Sequence, residues 1–156
     1  MNKLPDIGRF TDDPLSSHTL PGRFYFDLDV FSREQESIFH RTWQYACHVS
    51  RLESPGDFFV RDIGDQSVVV IRGKDDKIRA FHNVCQHRAH RLLEGSGSVS
   101  SAIVCPYHRW AYELSGKLRR ALHSDQVMDF SSSEISLSEV RAELFCGFVF
   151  INLDHH

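Results

Sequence analysis

Two short stretches of the chain each combine one cysteine with one histidine. The first reads Cys85-Gln86-His87 and the second reads Cys105-Pro106-Tyr107-His108, with seventeen residues between His87 and Cys105. Thiolate sulfur is a soft ligand that suits iron–sulfur chemistry, whereas imidazole is a neutral nitrogen ligand. Two such loops can place both sulfurs on one iron and both nitrogens on a second iron. The pattern therefore favours a [2Fe–2S] cluster held by Cys85, His87, Cys105 and His108.

The same four side chains could also hold a structural zinc ion, or belong to two loops that bind no metal. Structural zinc sites usually take closed, cysteine-rich tetrahedral sets, in which a Cys-x-His pair is unusual. In an iron cluster, two imidazoles in place of two thiolates leave less negative charge, so that an electron is added more easily. We rank one-electron transfer first and keep a zinc-stabilised binding module as a remote alternative.

Short strands must position these loops, because the chain after residue 43 is rich in Val, Ile, Phe and Tyr between turn-forming residues. Many short strands joined by tight turns indicate an antiparallel sandwich or small barrel, so the predicted fold is mostly β. The stretch 95–101, which reads GSGSVSS, is predicted to be a flexible loop. The predicted strands are residues 43–49, 57–62, 67–72, 78–84, 102–105, 109–114, 117–121 and 142–152.

The first third of the chain predicts little regular structure apart from one helix. Residues 1–31 contain several prolines and scattered polar residues, which indicates an extended arm. Ser32 and Gln35 have capping-box spacing, so a helix is predicted over about 32–43. Ile38, Phe39 and Trp43 follow at helical spacing and are predicted to form one buried stripe.

The sequence around the two ligand pairs, residues 82–88 and 105–110, resembles that of the Rieske domain of terminal oxygenase α subunits. These are the ring-hydroxylating dioxygenases and the related monooxygenases and N-demethylases. The resemblance extends from about residue 20 to residue 152, and it implies a Rieske-type antiparallel β sandwich over 32–154 with two cluster-binding loops. It further implies that Cys85 and Cys105 bind the inner iron, and that His87 and His108 bind the outer iron. Family members often have glycine where this chain has Ala89.

The resemblance also implies a function, which is to pass electrons to a non-haem Fe(II) that uses O₂ for hydroxylation or N-demethylation. That iron would lie in a catalytic domain that this sequence lacks, since the remaining histidines do not form a two-histidine, one-carboxylate set. The chain alone is therefore predicted not to oxygenate a substrate. A ferredoxin or flavin reductase is the expected donor, and the parent oxygenase is expected to be a homo-oligomer, a trimer. The alternative within the same chemistry is a stand-alone Rieske ferredoxin.

Residues beside the ligands could tune or extend the site. Trp110 is expected to pack beneath the second loop, and His90 lies close enough to the first loop to support a ligand. Arg88, Arg91 and Arg109 would surround the outer iron, either as solvated charges or as partners for carboxylates on another protein. Respiratory Rieske proteins of high potential have an additional cysteine in each loop, which this chain lacks. We therefore expect the cluster to have a midpoint reduction potential of about −150 mV, in the lower part of the Rieske range.

Composition limits the remaining possibilities. A chain of 156 residues suits one compact domain, and a net charge of −3 gives no general reason to expect nucleic acid or an anionic membrane as a partner. The sequence has no signal-peptide pattern and no apolar run long enough to span a membrane, so we expect a cytoplasmic protein. Cys47 and Cys146 are interpreted as small buried residues. His155 and His156 are either natural or part of a purification tag.

Overall fold

The computed structural model describes residues 6–122, 124 and 128–154, so that His155 and His156 lie outside the described residues. The chain divides into two compact units, one ending at Ile38 and the other beginning at Phe39. The predicted boundary between an arm ending at residue 31 and a domain beginning at residue 32 stays a prediction. No helix in the described part of the chain is long and apolar enough to cross a membrane.

The helix begins earlier than predicted. A 3₁₀ turn, Gly22–Tyr25, precedes helix α1, Leu28–Glu34, which runs on into a π-helical turn, Gln35–Phe39. The Asp27 carboxylate caps α1 by accepting a 2.9 Å hydrogen bond from the Asp29 N–H. Because an earlier residue supplies this cap, Ser32 lies inside the helix and the predicted capping box is wrong.

The predicted buried stripe after the helix is also wrong. Ile38 is 48% exposed, Phe39 is 37% exposed and Trp43 is 40% exposed. Neither α1 nor the π-helical turn contains a buried residue. Helical spacing identified apolar positions on one side of the segment, but spacing alone does not supply a surface for them to pack against.

Within the described residues the second unit has ten strands, which form two antiparallel sheets. The seven-stranded sheet has the order β1-β10-β9-β4-β3-β2-β5, and the three-stranded sheet has the order β6-β7-β8. The prediction of a mostly β, antiparallel fold is confirmed. Two further 3₁₀ turns are Val49–Arg51 and Ser132–Glu134. The strands are β1 Gln44–His48, β2 Asp57–Ile63, β3 Gln66–Arg72, β4 Ile78–His82, β5 Ser96–Ser98, β6 Ile103–Val104, β7 Ala111–Tyr112, β8 Leu118–Arg120, β9 Glu139–Phe145 and β10 Phe148–Asn152.

Two predicted segments have a different structure. The predicted loop 95–101 contains β5, which pairs with β2. The predicted single strand 142–152 is a hairpin, in which Cys146 and Gly147 form the turn between β9 and β10 with φ of 49° and 82°. A two-residue hairpin turn of this kind requires positive φ at both central positions. Cys146 is consequently exposed, and its interpretation as a buried residue is wrong, whereas Cys47 is buried.

Strand β3 separates two hydrophobic cores. Successive side chains of a strand point to opposite faces, so Val69 and Ile71 enter one core while Val68 and Val70 enter the other. All four are fully buried. We call the core that lies beneath the ligand loops the first core; it contains Cys85, Cys105, Trp110 and Tyr112. The core on the other face of β3 is the second core, which contains Cys47, Val149 and Ile151.

The outer side of β1, β10 and β9 carries a row of aromatic rings. Tyr45 makes edge contacts with Phe148 and Phe150, with ring centroids 5.9 Å and 6.2 Å apart. Phe148 is also paired in register with Phe145 on β9, so that the two side chains share one side of the sheet. Tyr45, Phe145 and Phe148 are 46%, 68% and 43% exposed. We call Tyr45, Phe145, Phe148 and Phe150 the aromatic face.

Candidate metal centre

The first ligand loop is closed by backbone hydrogen bonds around its cysteine. The Cys85 N–H donates to the His90 carbonyl over 2.8 Å, and the Ala89 N–H donates to the Cys85 carbonyl over 2.9 Å. Just outside, Val84 and Arg91 form an isolated β-bridge. The loop therefore leaves β4 and returns beside it within a few residues, with Cys85 at its base.

Buried Asn83 fixes the two ends of this loop. Its amide oxygen accepts a 3.0 Å hydrogen bond from the Leu93 N–H, and its amide nitrogen donates to the Leu93 carbonyl over 2.7 Å. The same oxygen accepts from the Leu92 N–H at 3.3 Å. Sequence reasoning missed this role, for which the only signal was a polar residue directly before an apolar residue and the first cysteine.

The second loop repeats the frame of the first. The Cys105 N–H donates to the Trp110 carbonyl over 2.8 Å, and the Arg109 N–H donates to the Cys105 carbonyl over 3.1 Å. Strand β6 ends at Val104 and β7 begins at Ala111, so that this loop joins two paired strands directly. Two loops with the same closure thus present their cysteines and histidines from one end of the domain.

Each loop has one residue in the left-handed region at the same place. Ala89 has φ of 52° and Arg109 has φ of 60°. A residue with a Cβ atom in this region costs roughly 1 kcal/mol relative to glycine. Alanine in place of the glycine that family members often have at this position therefore raises the energy of the loop but does not change its backbone path. Arg109, which also has a Cβ atom, adopts the equivalent conformation in the second loop.

The two cysteines lie at the inner side of the loops. Cys85 is 2% exposed and Cys105 is 1% exposed, both within the first core. Burial raises the pKa of the Cys85 thiol, and the adjacent Cys105 side chain raises it further. Hydrogen bonds from the Tyr112 hydroxyl and the His87 backbone N–H act in the opposite direction and favour the thiolate.

Tyr112 connects the second loop to the sulfur of the first. Its hydroxyl oxygen lies 3.2 Å from the Cys85 sulfur and accepts a 3.0 Å hydrogen bond from the Gln86 N–H. Because the oxygen already accepts one bond, its own proton is available to the sulfur. Burial raises the pKa of Tyr112 well above its usual value, so the hydroxyl keeps this proton at neutral pH. Sequence reasoning missed this contact, which depends on the packing of two distant segments in the first core.

The two histidines lie at the outer side. His87 and His108 are partly buried, and their ring centroids are 4.8 Å apart at 72°. Desolvation, and after it the charges of His87, Arg88 and His90, lower the pKa of His108. A lowered pKa keeps the imidazole neutral, which is the form that binds metals.

The residues predicted to tune or support the site differ in burial and in the groups that they contact. Trp110 is buried, and its ring stacks on His87 of the first loop at 4.8 Å and 11°. Arg88 lines a cavity of about 440 Å³ together with both imidazoles, Trp110 and Phe130. His90 is exposed, with its ring 5.6 Å from that of Tyr107. Arg109 is exposed.

The donor set suits a cluster of two irons. The two buried thiols on the inner side and the two imidazoles on the outer side form two pairs of donors, so that each pair could hold one iron. Among the described residues, no group of three or more His, Cys, Asp or Glu side chains is arranged to hold a single metal ion. The Tyr112 hydroxyl and the His87 N–H add hydrogen bonds to the Cys85 sulfur, as a negatively charged ligand requires.

The two loops, each with one cysteine and one histidine, are typical of a [2Fe–2S] protein, and comparison with known proteins identifies the family. The chain belongs to the Rieske [2Fe–2S] domain family, whose profile matches residues 42–131. The resemblance noted from residues 82–88 and 105–110 is therefore confirmed, and so is the prediction of a Rieske-type fold.

Particular relatives are oxygenase subunits. The chain is 43% identical over 151 residues to the carnitine monooxygenase oxygenase subunit of Escherichia coli (strain K12), covering 97% of this chain and 40% of that protein. It is 37% identical over 137 residues to the glycine betaine monooxygenase oxygenase subunit of Pseudomonas aeruginosa (strain UCBPP-PA14), covering 88% and 32%. The chain thus spans about two fifths of the length of the first of these relatives.

A solved structure agrees with the fold. The apo form of the quaternary ammonium Rieske monooxygenase CntA superposes with a TM-score of 0.89 at 41% identity, covering 100% of this chain and 45% of that one.

Proposed function

We propose that this chain is the electron-transfer domain of a Rieske oxygenase, with Cys85 and Cys105 on the inner iron and His87 and His108 on the outer iron. The observation that carries the proposal is the pair of identically closed loops, which brings two buried thiols and two adjacent imidazoles to one end of the domain. When bound, a Rieske [2Fe–2S] cluster takes up and releases one electron at a time. The protein binds the cluster, keeps solvent from its sulfurs and exposes the edges of two imidazoles.

The hydrogen bonds around Cys85 bear on the expected midpoint. The absence of loop cysteines supports a value in the lower part of the Rieske range, near about −150 mV. Tyr112 supplies one donor to a ligand sulfur that the sequence-based expectation left out. A donor to the sulfur stabilises the reduced, more negative cluster, so the midpoint is expected at or somewhat above that figure.

The activity of the whole oxygenase is a further part of the proposal. Relatives named for carnitine and glycine betaine support a quaternary ammonium compound as the substrate of the parent protein, where it would be oxidised by O₂ at a non-haem Fe(II) in a separate catalytic domain. One related quaternary ammonium Rieske monooxygenase transfers electrons between subunits, which supports an oligomeric parent. That this oligomer is a homotrimer stays a prediction. A ferredoxin or flavin reductase would supply the electrons in the cytoplasm. These relatives favour an oxygenase domain over a stand-alone ferredoxin.

The test is a direct analysis of the purified chain. Protein made with adequate iron should contain about two irons and two acid-labile sulfides per chain and should show the visible and electron-spin spectra of a Rieske cluster. Stoichiometric zinc without iron would instead support the binding module. After chemical reduction and addition of O₂, the chain should yield no product from carnitine, glycine betaine or an aromatic compound. Product together with a third iron would contradict the assignment to electron transfer alone.

A further inference from the structure

The two ligand loops are held to the domain by different means. The second loop lies between β6 and β7, whose backbones pair with each other on both sides of the loop base. In the first loop, β4 ends at His82, and an isolated bridge between Val84 and Arg91 stands in place of a strand ladder. The next strand, β5, pairs with β2. The returning limb of the first loop, residues 90–93, therefore has less backbone pairing than the second loop has.

The carboxamide of Asn83 takes the place of a peptide group beside this limb. It accepts from the Leu93 N–H over 3.0 Å and donates to the Leu93 carbonyl over 2.7 Å, as a hydrogen-bonded residue pair does in an antiparallel ladder. The same nitrogen donates to the Ser67 hydroxyl over 3.2 Å, and the oxygen also accepts from the Leu92 N–H. All four hydrogen-bonding positions of this buried carboxamide are therefore used.

Arg91 fastens the same limb to β2. One of its guanidinium nitrogens lies 3.0 Å and 3.2 Å from the carboxylate oxygens of Asp62, and its Nε donates to the Leu93 carbonyl over 3.3 Å. The Leu93 carbonyl thus accepts from Asn83 and Arg91 together. Hydrogen bonding from Ser67, which faces Asp62 across the β2–β3 pair, lowers the pKa of Asp62, and Arg91 lowers it further. We call Asp62, Ser67, Asn83 and Arg91 the loop clamp.

We propose that the loop clamp positions the first ligand loop, so that Cys85 and His87 keep one orientation toward the cluster in both of its oxidation states. The inference rests on the function proposed above, since it needs a cluster for these ligands to hold. The clamped limb contains the His90 carbonyl, which accepts from the Cys85 N–H over 2.8 Å, so that a movement of the limb reaches Cys85 directly. His87 lies between these two residues in the chain, and a shift of the loop would disturb its stacking on Trp110 at 4.8 Å.

The chain offers a matched ion pair for comparison. Arg79 pairs with Asp75 through two hydrogen bonds of 2.8 Å and 2.6 Å, near the start of β4, whereas the first loop follows the end of that strand. Exposed ion pairs of this kind add little to the unfolding free energy of a whole domain. Removing either arginine changes the net charge equally, so a difference between the two variants reports what Arg91 does at the loop.

The first measurement is hydrogen exchange by mass spectrometry, which compares peptides from residues 83–93 in the first loop with peptides from residues 103–112 in the second. Arg91→Ala should exchange about fivefold faster than wild type in the first loop, and within about twofold of wild type in the second. Arg79→Ala should leave both loops unchanged. First-loop exchange at the wild-type rate in Arg91→Ala would overturn the loop clamp, and equal acceleration of both loops would overturn its local action.

A second variant tests the buried arm of the clamp. Asn83→Asp keeps the shape of the side chain but loses both N–H donors, which leaves the Leu93 carbonyl with one donor fewer. Its first loop should exchange about tenfold faster than wild type, or more. Exchange slower than that of Arg91→Ala would contradict the role of the carboxamide. Should Asn83→Asp fail to fold, Arg91→Ala decides the matter, because its side chain is exposed and the variant keeps the buried carboxamide.

The electron-spin spectrum of the reduced, cluster-loaded chain separates positioning from stability. Arg91→Ala should broaden its lines or add a second set, because Cys85 and His87 then take more than one orientation, whereas Arg79→Ala should give the wild-type line shape. Faster first-loop exchange with a wild-type line shape would show that the clamp serves stability alone, and would overturn the positioning role.

The wild-type chain distinguishes this inference from the proposed function. If wild type loaded with iron and sulfide shows no Rieske spectrum, the proposed function fails and the positioning role fails with it, whatever the exchange rates are. If wild type shows the spectrum, and Arg91→Ala matches it in both line shape and first-loop exchange, only the loop clamp is wrong.

Discussion

The two cores of the domain each bury a cysteine to the same extent and surround it differently. Cys85 in the first core and Cys47 in the second are both 2% exposed. The sulfur of Cys85 receives hydrogen bonds from the Tyr112 hydroxyl and the His87 N–H. Burial raises the pKa of Cys47 to about 11, opposed only by the charge of Arg51. Burial therefore raises the pKa of both thiols, and the two cysteines differ in that two hydrogen-bond donors act against this effect at Cys85 and favour its thiolate.

The largest expected difference between the two cores is the loss of the cluster. Cys85→Ala should lose nearly all of the iron and sulfide, because one ligand of the inner iron is removed. Cys47→Ala deletes a sulfur that has no ligand role, so it should keep both iron and sulfide and lose only about 1 kcal/mol of unfolding free energy. Metal analysis and visible absorbance measure the first effect, and urea unfolding measures the second. Equal cluster contents in the two variants would contradict the assignment of Cys85.

Alkaline pH should lower the unfolding free energy of the wild-type protein through the ionisation of Cys47. Its folded pKa of about 11 lies above its ordinary value of 9.0, so its contribution to stability is complete below about pH 9 and is lost as pH rises through about 11. Two pKa units correspond to about 2–3 kcal/mol. Cys47→Ala cannot lose this contribution. Urea unfolding from pH 8 to 11 should therefore show wild type losing stability relative to the variant, and parallel curves would count against the raised pKa.

Removing one hydroxyl from the first core should lower the midpoint. Tyr112→Phe deletes the hydrogen bond to the Cys85 sulfur. If this bond stabilises the reduced cluster by about 1 kcal/mol more than the oxidised cluster, its loss lowers the midpoint potential by roughly 40 mV for one electron. Tyr107→Phe is the matched control, because Tyr107 packs on His108 from the exposed side. A redox titration should find its midpoint unchanged. The same shift in both variants would show that the Tyr112 hydroxyl has no specific effect.

The smallest expected effect concerns the loop backbone above the first core. Ala89→Gly should raise the unfolding free energy by up to about 1 kcal/mol, because glycine adopts the positive φ of this position without strain. Ala142→Gly, in a strand that packs against the second core, should lower it by roughly 0.5–1 kcal/mol. Urea unfolding of the two variants measures both changes. A decrease for Ala89→Gly would mean that the left-handed conformation is not the source of strain.

Sequence reasoning succeeded where the information is local. The donor types at Cys85, His87, Cys105 and His108, and their spacing, are properties of two short segments, and they led to the family that residues 42–131 confirm. The ligand assignment itself stays a prediction. Short alternating segments between turn formers likewise indicated an antiparallel fold, which is confirmed.

The parts that were missed depend on the backbone path or on distant residues. The run from residue 142 to 152 is apolar except for Glu143, Gly147 and Asn152, so the turn at Cys146 and Gly147 was hidden; the glycine was the one available signal. Tyr112 on β7 and Cys85 in the loop after β4 are 27 residues apart in the chain, and they meet only through the packing of the first core. Helix α1 begins at an aspartate cap, and several residues near this segment could have served as caps equally well by type.

The aromatic face has a consequence for how solutions of this chain behave. When two such faces meet, ordered water is released from their rings, with a gain of about 25 cal/mol for each Å² of apolar surface covered. This attraction strengthens on warming and in sulfate, opposite to the attraction between surface charges, which salt screens. We therefore expect concentrated solutions to turn cloudy on mild warming, below the unfolding temperature, and to clear again on cooling.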